Sequence, residues 1–188
     1  DIIHMEVGQP GTPAPKIAKD YITNEINKNN LGYTVSLGLP ALRTKISKLY
    51  GDWYNLDLNP NRIVVTTGSS GAFILSFSAL FDSGDRVGIG SPSYPSYRQI
   101  LKSLSLETVD IQTKLQNRFQ PVAEDITNNN LNGILVASPA NPTGSMLDKQ
   151  SLENFTYLFV GAFVFKTVFI GKSPLDVLII SPTFTNGF

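Results

Sequence analysis

Apolar positions along this chain recur with two periods, and turn residues mark where one period gives way to the other. After Pro13 and Pro15, Ile17, Tyr21, Ile22 and Ile26 fall on one face of a helix that Asn29, Asn30 and Gly32 bring to an end. A second helix opens near Pro40, with Leu42, Ile46, Leu49, Tyr50 and Trp53 at helical spacing. The β-branched run Ile63-Val64-Val65-Thr66 predicts a strand, and Ala72 to Phe81 an apolar, buried helix. Asp82-Ser83-Gly84-Asp85 is a turn leading to a strand at Arg86-Val87-Gly88-Ile89. Tyr97 to Leu104 then reads as a helix and Glu107 to Ile111 as a strand. The Asn128-Asn129-Asn130 cluster is a loop before Gly133-Ile134-Leu135-Val136-Ala137, a buried strand closed by Pro139. Asp148 caps a last short helix toward Phe155. Strands alternating with helices predict a three-layer α/β fold, with a mostly parallel sheet flanked by helices.

The pattern fails after Thr156. Residues 157–188 are apolar, with Asp176 the only acidic side chain; their apolar runs allow a buried pair of strands, yet they show neither helical amphipathicity nor steady alternation. Lys166 and Lys172 interrupt the run well short of the about 20 apolar residues a membrane-spanning helix needs. The expected organisation is therefore a domain over residues 1–156 and a divergent apolar tail over 157–188. The chain starts Asp1-Ile2-Ile3-His4-Met5, which resembles neither an initiator methionine nor a signal peptide, and the expectation is an internal fragment.

Composition narrows the function by exclusion. Lys plus Arg and Asp plus Glu are equal at 15 each, so no basic surplus supports a nucleic-acid partner. Without cysteine there are no disulfides, thiolate metal sites or cysteine nucleophiles, which is compatible with a reducing cytoplasm. His4 is the sole histidine and reads as structural, and the carboxylates are interspersed with basic residues rather than paired.

Three loops that follow predicted strands carry the candidate chemistry. In Ser138-Pro139-Ala140-Asn141-Pro142-Thr143-Gly144, two prolines stiffen the backbone around Asn141, and Gly144 allows a sharp exit. The Asn141 amide can both donate and accept, which suits a phenolate oxygen on a flat cofactor. In Thr67-Gly68-Ser69-Ser70-Gly71-Ala72, helix-start amides and two hydroxyls suit an anion. A serine-capped helix start explains the same residues equally well. Neither the dinucleotide G-x-G-x-x-G spacing nor a P-loop lysine is present. In Ser91-Pro92-Ser93-Tyr94-Pro95-Ser96-Tyr97, two prolines hold Tyr94 where its ring could stack on a planar ligand or simply pack. The carboxyl ends of parallel strands are where open α/β sheets bind ligands.

Together with Gly32-Tyr33-Thr34…Gly38-Leu39-Pro40-Ala41-Leu42-Arg43 and Gly8-Gln9-Pro10, these loops stand in the order seen in the class I/II aminotransferases. The chain resembles the large domain of these fold-type I, pyridoxal-phosphate-dependent enzymes from about residue 3 to 155. The resemblance implies transfer of an amino group between an amino acid and a 2-oxo acid, and a homodimer when intact, with no nucleic-acid or membrane partner. It implies that Gly68, Ser69 and Ser70 bind the cofactor phosphate, Tyr94 stacks on its ring and Asn141 contacts the ring oxygen. Tyr33 would reach the phosphate held by the other subunit, and Gly8 would line the site of the substrate carboxylate.

The match stops short of the full catalytic set. The family's Asp-x-x-Tyr element is missing, since Asp176-Val177-Leu178-Ile179 has no Tyr in place, and no Arg follows Arg118. Lys166 and Lys172 stand in the wrong context for the Schiff-base lysine, so no catalytic residue is assigned. The expectation is a truncated or frame-shifted reading, inactive as it stands. The alternatives are a non-catalytic or decayed cofactor-binding module and a sibling fold-type I lyase or synthase.

Overall fold

The computed structural model describes residues 2–3, 11–28, 31–158, 165–167 and 176–180. The chain divides into two units, Asp1–Val64 and Val65–Phe188.

The first unit holds two helices, each entered through proline. Helix α1, Lys16–Ile26, starts after Pro15, and its predicted apolar face is exposed along its length at Ile17, Tyr21, Ile22 and Ile26. Helix α2, Pro40–Tyr54, has Pro40 in its first turn and stops at Asn55, whose left-handed backbone (φ 53°) turns the chain back. Tyr50 and Arg43 are its buried residues. The Arg43 guanidinium donates to the Ile63 carbonyl (2.8 Å) and the Asn61 side chain (3.4 Å), and the Ser47 hydroxyl donates to the Leu58 carbonyl (2.6 Å). Arg43 thus serves as a tie between α2 and the segment leading to Ile63.

The second unit is the α/β part. Helix α3, Gly68–Leu80, is followed by strand β1, Arg86–Ser91, helix α4, Pro95–Ser103, and strand β2, Glu107–Gln112. A short helix α5, Glu124–Asn128, then precedes strand β3, Gly133–Ser138, and helix α6, Lys149–Leu158. Strands β4, Phe165–Thr167, and β5, Asp176–Ile180, complete a sheet in the order β2-β1-β3-β5-β4. β1 pairs in parallel with β2 and with β3, in the register Val87↔Thr108 and Val87↔Gly133. β5 adds to the far side of β3 and β4 to β5, both antiparallel.

The core has one cluster on each face of the parallel strands. Phe73, Phe77 and Leu80 of α3, spaced to share a helix face, pack with Val87, Ile89, Tyr97, Leu101 and Leu135. Ile111, Ala123, Ile126, Leu131, Ile134, Val136 and Phe155 form the other cluster. Full burial of side chains such as Phe73, Phe77 and Phe155 stabilises by about 1.5–3 kcal/mol each.

Three elements differ from the sequence expectation. The strand expected at Ile63–Thr66 is absent: Ile63 is extended (φ −104°, ψ 126°), but no described strand lies alongside to complete a ladder. β propensity alone makes an extended segment, and a strand needs a partner. α3 begins at Gly68, four residues before the apolar run, because helix geometry extends back to the glycine turn. α5 was not expected, since five residues, with only Ile126 buried, leave no periodic trace. Asp148 does cap α6: its Oδ1 accepts from the Ser151 N–H (2.8 Å). That bond, first, and then the Ser151 hydroxyl and Arg118 hold its carboxyl below the usual range.

Candidate functional site

Chain direction decides where the three loops lie. α3 has 13 residues and β1 has 6, so each is about 20 Å long. Only the turn at residues 81–85 joins them, which makes α3 antiparallel to β1. Gly84 supplies the left-handed step of that turn (φ 91°), and the Asp85 carboxylate accepts from the Asp82 N–H (2.9 Å). The amino end of α3 therefore stands at the carboxyl edge of β1. β3 runs parallel to β1, so the loops after Ser91 and Ser138 leave from that same edge. Aromatic contacts join α3 to α4 beside this edge: Phe73, midway along α3, meets Tyr97 edge to face at 5.1 Å, and Tyr97 meets Tyr94 at 5.5 Å.

The amino end of α3 is open. Its N-cap, Thr67, makes no side-chain cap bond, and its first turn holds no acidic residue. Gly68 adopts a left-handed φ of 75°, with free space where a β-carbon would stand. Among the described residues the Ser69 and Ser70 hydroxyls take no hydrogen bond. Uncompensated amides, the positive helix end and two free hydroxyls form a donor set suited to a phosphate.

Tyr94 is the N-cap of α4 and remains 37% exposed beside the buried Tyr97. The loop before it is tied to the end of β2, where both the N–H and the hydroxyl of Thr113 donate to the Ser91 carbonyl (3.3 and 2.7 Å). Burial, with the nearby Tyr94, pushes the Tyr97 phenol up to about 12, so its hydroxyl stays protonated across the neutral range.

Asn141 sits half-buried in the loop after β3, and among the described residues its amide takes no hydrogen bond. The loop around it is well closed. The Ala140 N–H donates to the Ser145 carbonyl (2.8 Å), and the Gly144 N–H donates to the Ala140 carbonyl (2.7 Å). Gly144 makes the left-handed turn (φ 68°), and the Ser138 hydroxyl accepts from the Leu147 N–H (3.0 Å). A fixed loop thus presents an uncommitted amide, as a ring-oxygen contact requires.

Tyr33 is fully exposed in the first unit, and Gly8 lies outside the described residues, as do His4 and Lys172. Most of the apolar tail lies outside them too. Lys166 falls within β4, opposite Leu178 of β5. One residue near the site escaped the sequence reading: Gln120, a buried polar side chain whose amide reaches the loop after β3. Among the described residues there is no cluster of carboxylates and histidine placed for a metal, and no helix long and apolar enough to cross a membrane.

Known proteins resemble this chain in sequence and in overall fold. The family model "Aminotransferase class I and II" matches residues 1–165. A valine–pyruvate aminotransferase of Mycobacterium tuberculosis is 43% identical over 154 residues, covering 81% of this chain and 40% of that protein. The crystal structure of an aminotransferase from Mycobacterium tuberculosis superposes with a TM-score of 0.76 at 42% identity, covering 80% of this chain and 40% of its own. An aspartate aminotransferase from Thermotoga maritima gives 0.75 at 29% identity, covering 84% and 43%. The chain thus spans about two fifths of the length of the relatives it matches. Class I and II aminotransferases are pyridoxal-phosphate enzymes, and the open α3 end, the exposed Tyr94 and the free Asn141 amide are a donor set that fits that cofactor. A family match over most of the sequence, reached independently of the loop geometry, establishes that this chain belongs to the class I and II aminotransferases.

Proposed function

We propose that this chain forms the cofactor-binding part of a pyridoxal-phosphate-dependent aminotransferase that moves an amino group between an amino acid and a 2-oxo acid. The observation that carries the reading is the convergence, at one sheet edge, of an uncapped helix end, a proline-held tyrosine and an asparagine amide that has no partner among the described residues. Ser69, Ser70 and the amides after Gly68 would hold the phosphate. Tyr94 would cover the ring face, and Asn141 would donate to the ring oxygen. Bound pyridoxal phosphate acts as an electron sink for amino-group transfer.

In this reading Gly8 lines the substrate carboxylate site, and Tyr33 reaches the phosphate held by a second copy in a homodimer. Residues 1–156 make up the cofactor domain and 157–188 a divergent tail, and the protein works in the cytoplasm. No lysine stands in the context expected for the Schiff base, which favours non-covalent retention of the cofactor by this chain. That same feature supports a second reading, a cofactor-binding module without catalysis.

Titration of the chain with pyridoxal phosphate, followed by absorbance, tests the proposal. Saturable binding is expected, weakened about tenfold by Asn141→Ala, the scale of one hydrogen bond to a charged group. Borohydride treatment should leave no stoichiometric adduct on any one lysine, and amino-acid turnover should be absent. Turnover together with one labelled peptide containing Lys166 or Lys172 would make the tail a functional replacement and overturn the non-covalent reading. Absence of saturable binding would overturn the cofactor site itself.

A further inference from the structure

Gln120 is 3% exposed, one of two buried polar or charged side chains among the described residues. Its amide nitrogen carries two hydrogens, and both are used. Nε2 donates to the Ala137 carbonyl (3.0 Å), at the end of β3, and to the Ser145 carbonyl (2.9 Å), on the far side of the loop. The Ser145 hydroxyl lies within 3.4 Å as well. The same Ser145 carbonyl accepts from the Ala140 N–H (2.8 Å), so one oxygen joins the loop to itself and to Gln120. The amide therefore bridges the two stems of the segment whose tip is Asn141.

The backbone before Gln120 is built to bring it there. Arg118 and Phe119 both adopt left-handed conformations (φ 52° and 55°), an unfavourable arrangement for two successive residues with side chains. It is held by the Arg118 N–H to the Leu115 carbonyl and the Phe119 N–H to the Lys114 carbonyl, both 2.9 Å. The Gln120 N–H closes the turn on the Asn117 carbonyl (2.9 Å), and Pro121 fixes the exit. Such a backbone persists only where the surrounding structure enforces it. Here its result is to turn a polar side chain inward beneath the loop.

We infer that Gln120 is a positioning residue for Asn141, holding the loop after β3 in the one arrangement that presents the asparagine amide at the site. The inference rests on the cofactor-site reading for its purpose, though not for the clamp itself. The chemistry demands a neutral amide at this position. Leucine would leave the Ala137 carbonyl without this donor in a buried place, and a carboxylate would set negative charge against two carbonyl oxygens. Glutamic acid in its protonated form could restore one of the two bonds. The Arg118–Asp148 pair, also joining this turn to the loop's exit (2.8 Å), is more than half exposed and contributes little.

Amide hydrogen exchange on the full chain separates these roles. In Gln120→Leu, the Ala140 and Gly144 amides should exchange about tenfold or more faster, while Ile134 and Leu135 in β3 keep their protection. Arg118→Ala should change the loop amides by no more than about twofold. In Gln120→Glu, loop protection should rise as the pH falls and the carboxyl protonates, a dependence absent from the unaltered chain; this variant decides the matter if Gln120→Leu does not fold. The dissociation constant for pyridoxal phosphate should rise in Gln120→Leu in step with the loss of loop protection. Loop amides indifferent to Gln120→Leu, or a flat pH response in Gln120→Glu, would overturn the clamp. An unaltered chain that fails to bind the cofactor would overturn the site reading, and loop exchange would still report on the clamp.

Discussion

Gly88 occupies the middle of β1 between both parallel neighbours, and replacing it with alanine tests the packing that sets the β1–β3 edge. A β-carbon there would stand 2.5 Å from Leu131 Cδ1, 2.9 Å from Ile111 Cδ1 and 3.4 Å from Ile134 Cγ1. The first two distances are too short for any relaxed contact. All three neighbours are buried in the cluster beneath the sheet, so they cannot move into solvent. The closest atoms are terminal methyls that can rotate, which places the overpacking penalty at about 1–3 kcal/mol. Reduced freedom of the unfolded chain returns about 0.4–1 kcal/mol. The net expectation is a destabilisation of about 1–2 kcal/mol. Gly90, two residues on, is the internal control: its β-carbon would meet Thr113 Cγ2 at 3.4 Å and Pro121 Cδ at 3.6 Å, ordinary contacts. Gly90→Ala should be neutral or slightly stabilising. Urea unfolding followed by circular dichroism reads both. A Gly88→Ala chain as stable as Gly90→Ala would refute the packing argument.

Other predictions concern the ionisable groups and the loop before α3. The Tyr97 phenol, raised to about 12, contributes stability that is fully present below the ordinary tyrosine value of about 10 and lost as pH rises through 12; ultraviolet titration should show a late-ionising component that Tyr97→Phe removes, and a late limb unchanged by Tyr97→Phe would contradict it. Arg98 pairs with Asp110 and joins α4 to β2, and the guanidinium hydrogen bond holds the carboxyl below its usual range. That contribution is present above about pH 4 and lost as pH falls through the depressed value. Arg98→Met should therefore flatten the acid limb of stability between pH 4 and lower values, modestly because the pair is about a third exposed and salt-screened; an unchanged limb would count against the pair. Gly68→Ala meets no atom within 4 Å but carries a left-handed φ of 75°, so it should destabilise by about 1–2 kcal/mol through backbone strain alone; an unchanged urea midpoint would contradict that.

Two of the site loops were legible in the sequence because each is a strand end followed by proline, a feature that acts within a few residues, and the third was marked by its glycines. Asn141 between Pro139 and Pro142, and Tyr94 between Pro92 and Pro95, are of this kind. The parallel core followed from alternating strands and helices. Pairing was harder to read. Val64 and Val65 favour an extended backbone, but no neighbour within the described residues gives them an edge, so the propensity produces no strand. The tail illustrates the converse, since β5 joins β3 antiparallel from a segment whose pattern gave no clear period. Gln120 was hidden for another reason. Its partners lie 17 and 25 residues away, and nothing in Phe119-Gln120-Pro121 announces a contact that only the left-handed turn creates.

In the proposed site, the α3 amino end, Tyr94 and Asn141 together bind pyridoxal phosphate. Amide chemical-shift mapping of the isotopically labelled chain, titrated with the cofactor and separately with inorganic phosphate, tests it most directly. Saturable shifts are expected at Ser69, Ser70 and Gly71 with either ligand, and at Tyr94 and Asn141 with the cofactor alone. Saturable shifts confined to other parts of the chain, or none at all, would contradict it.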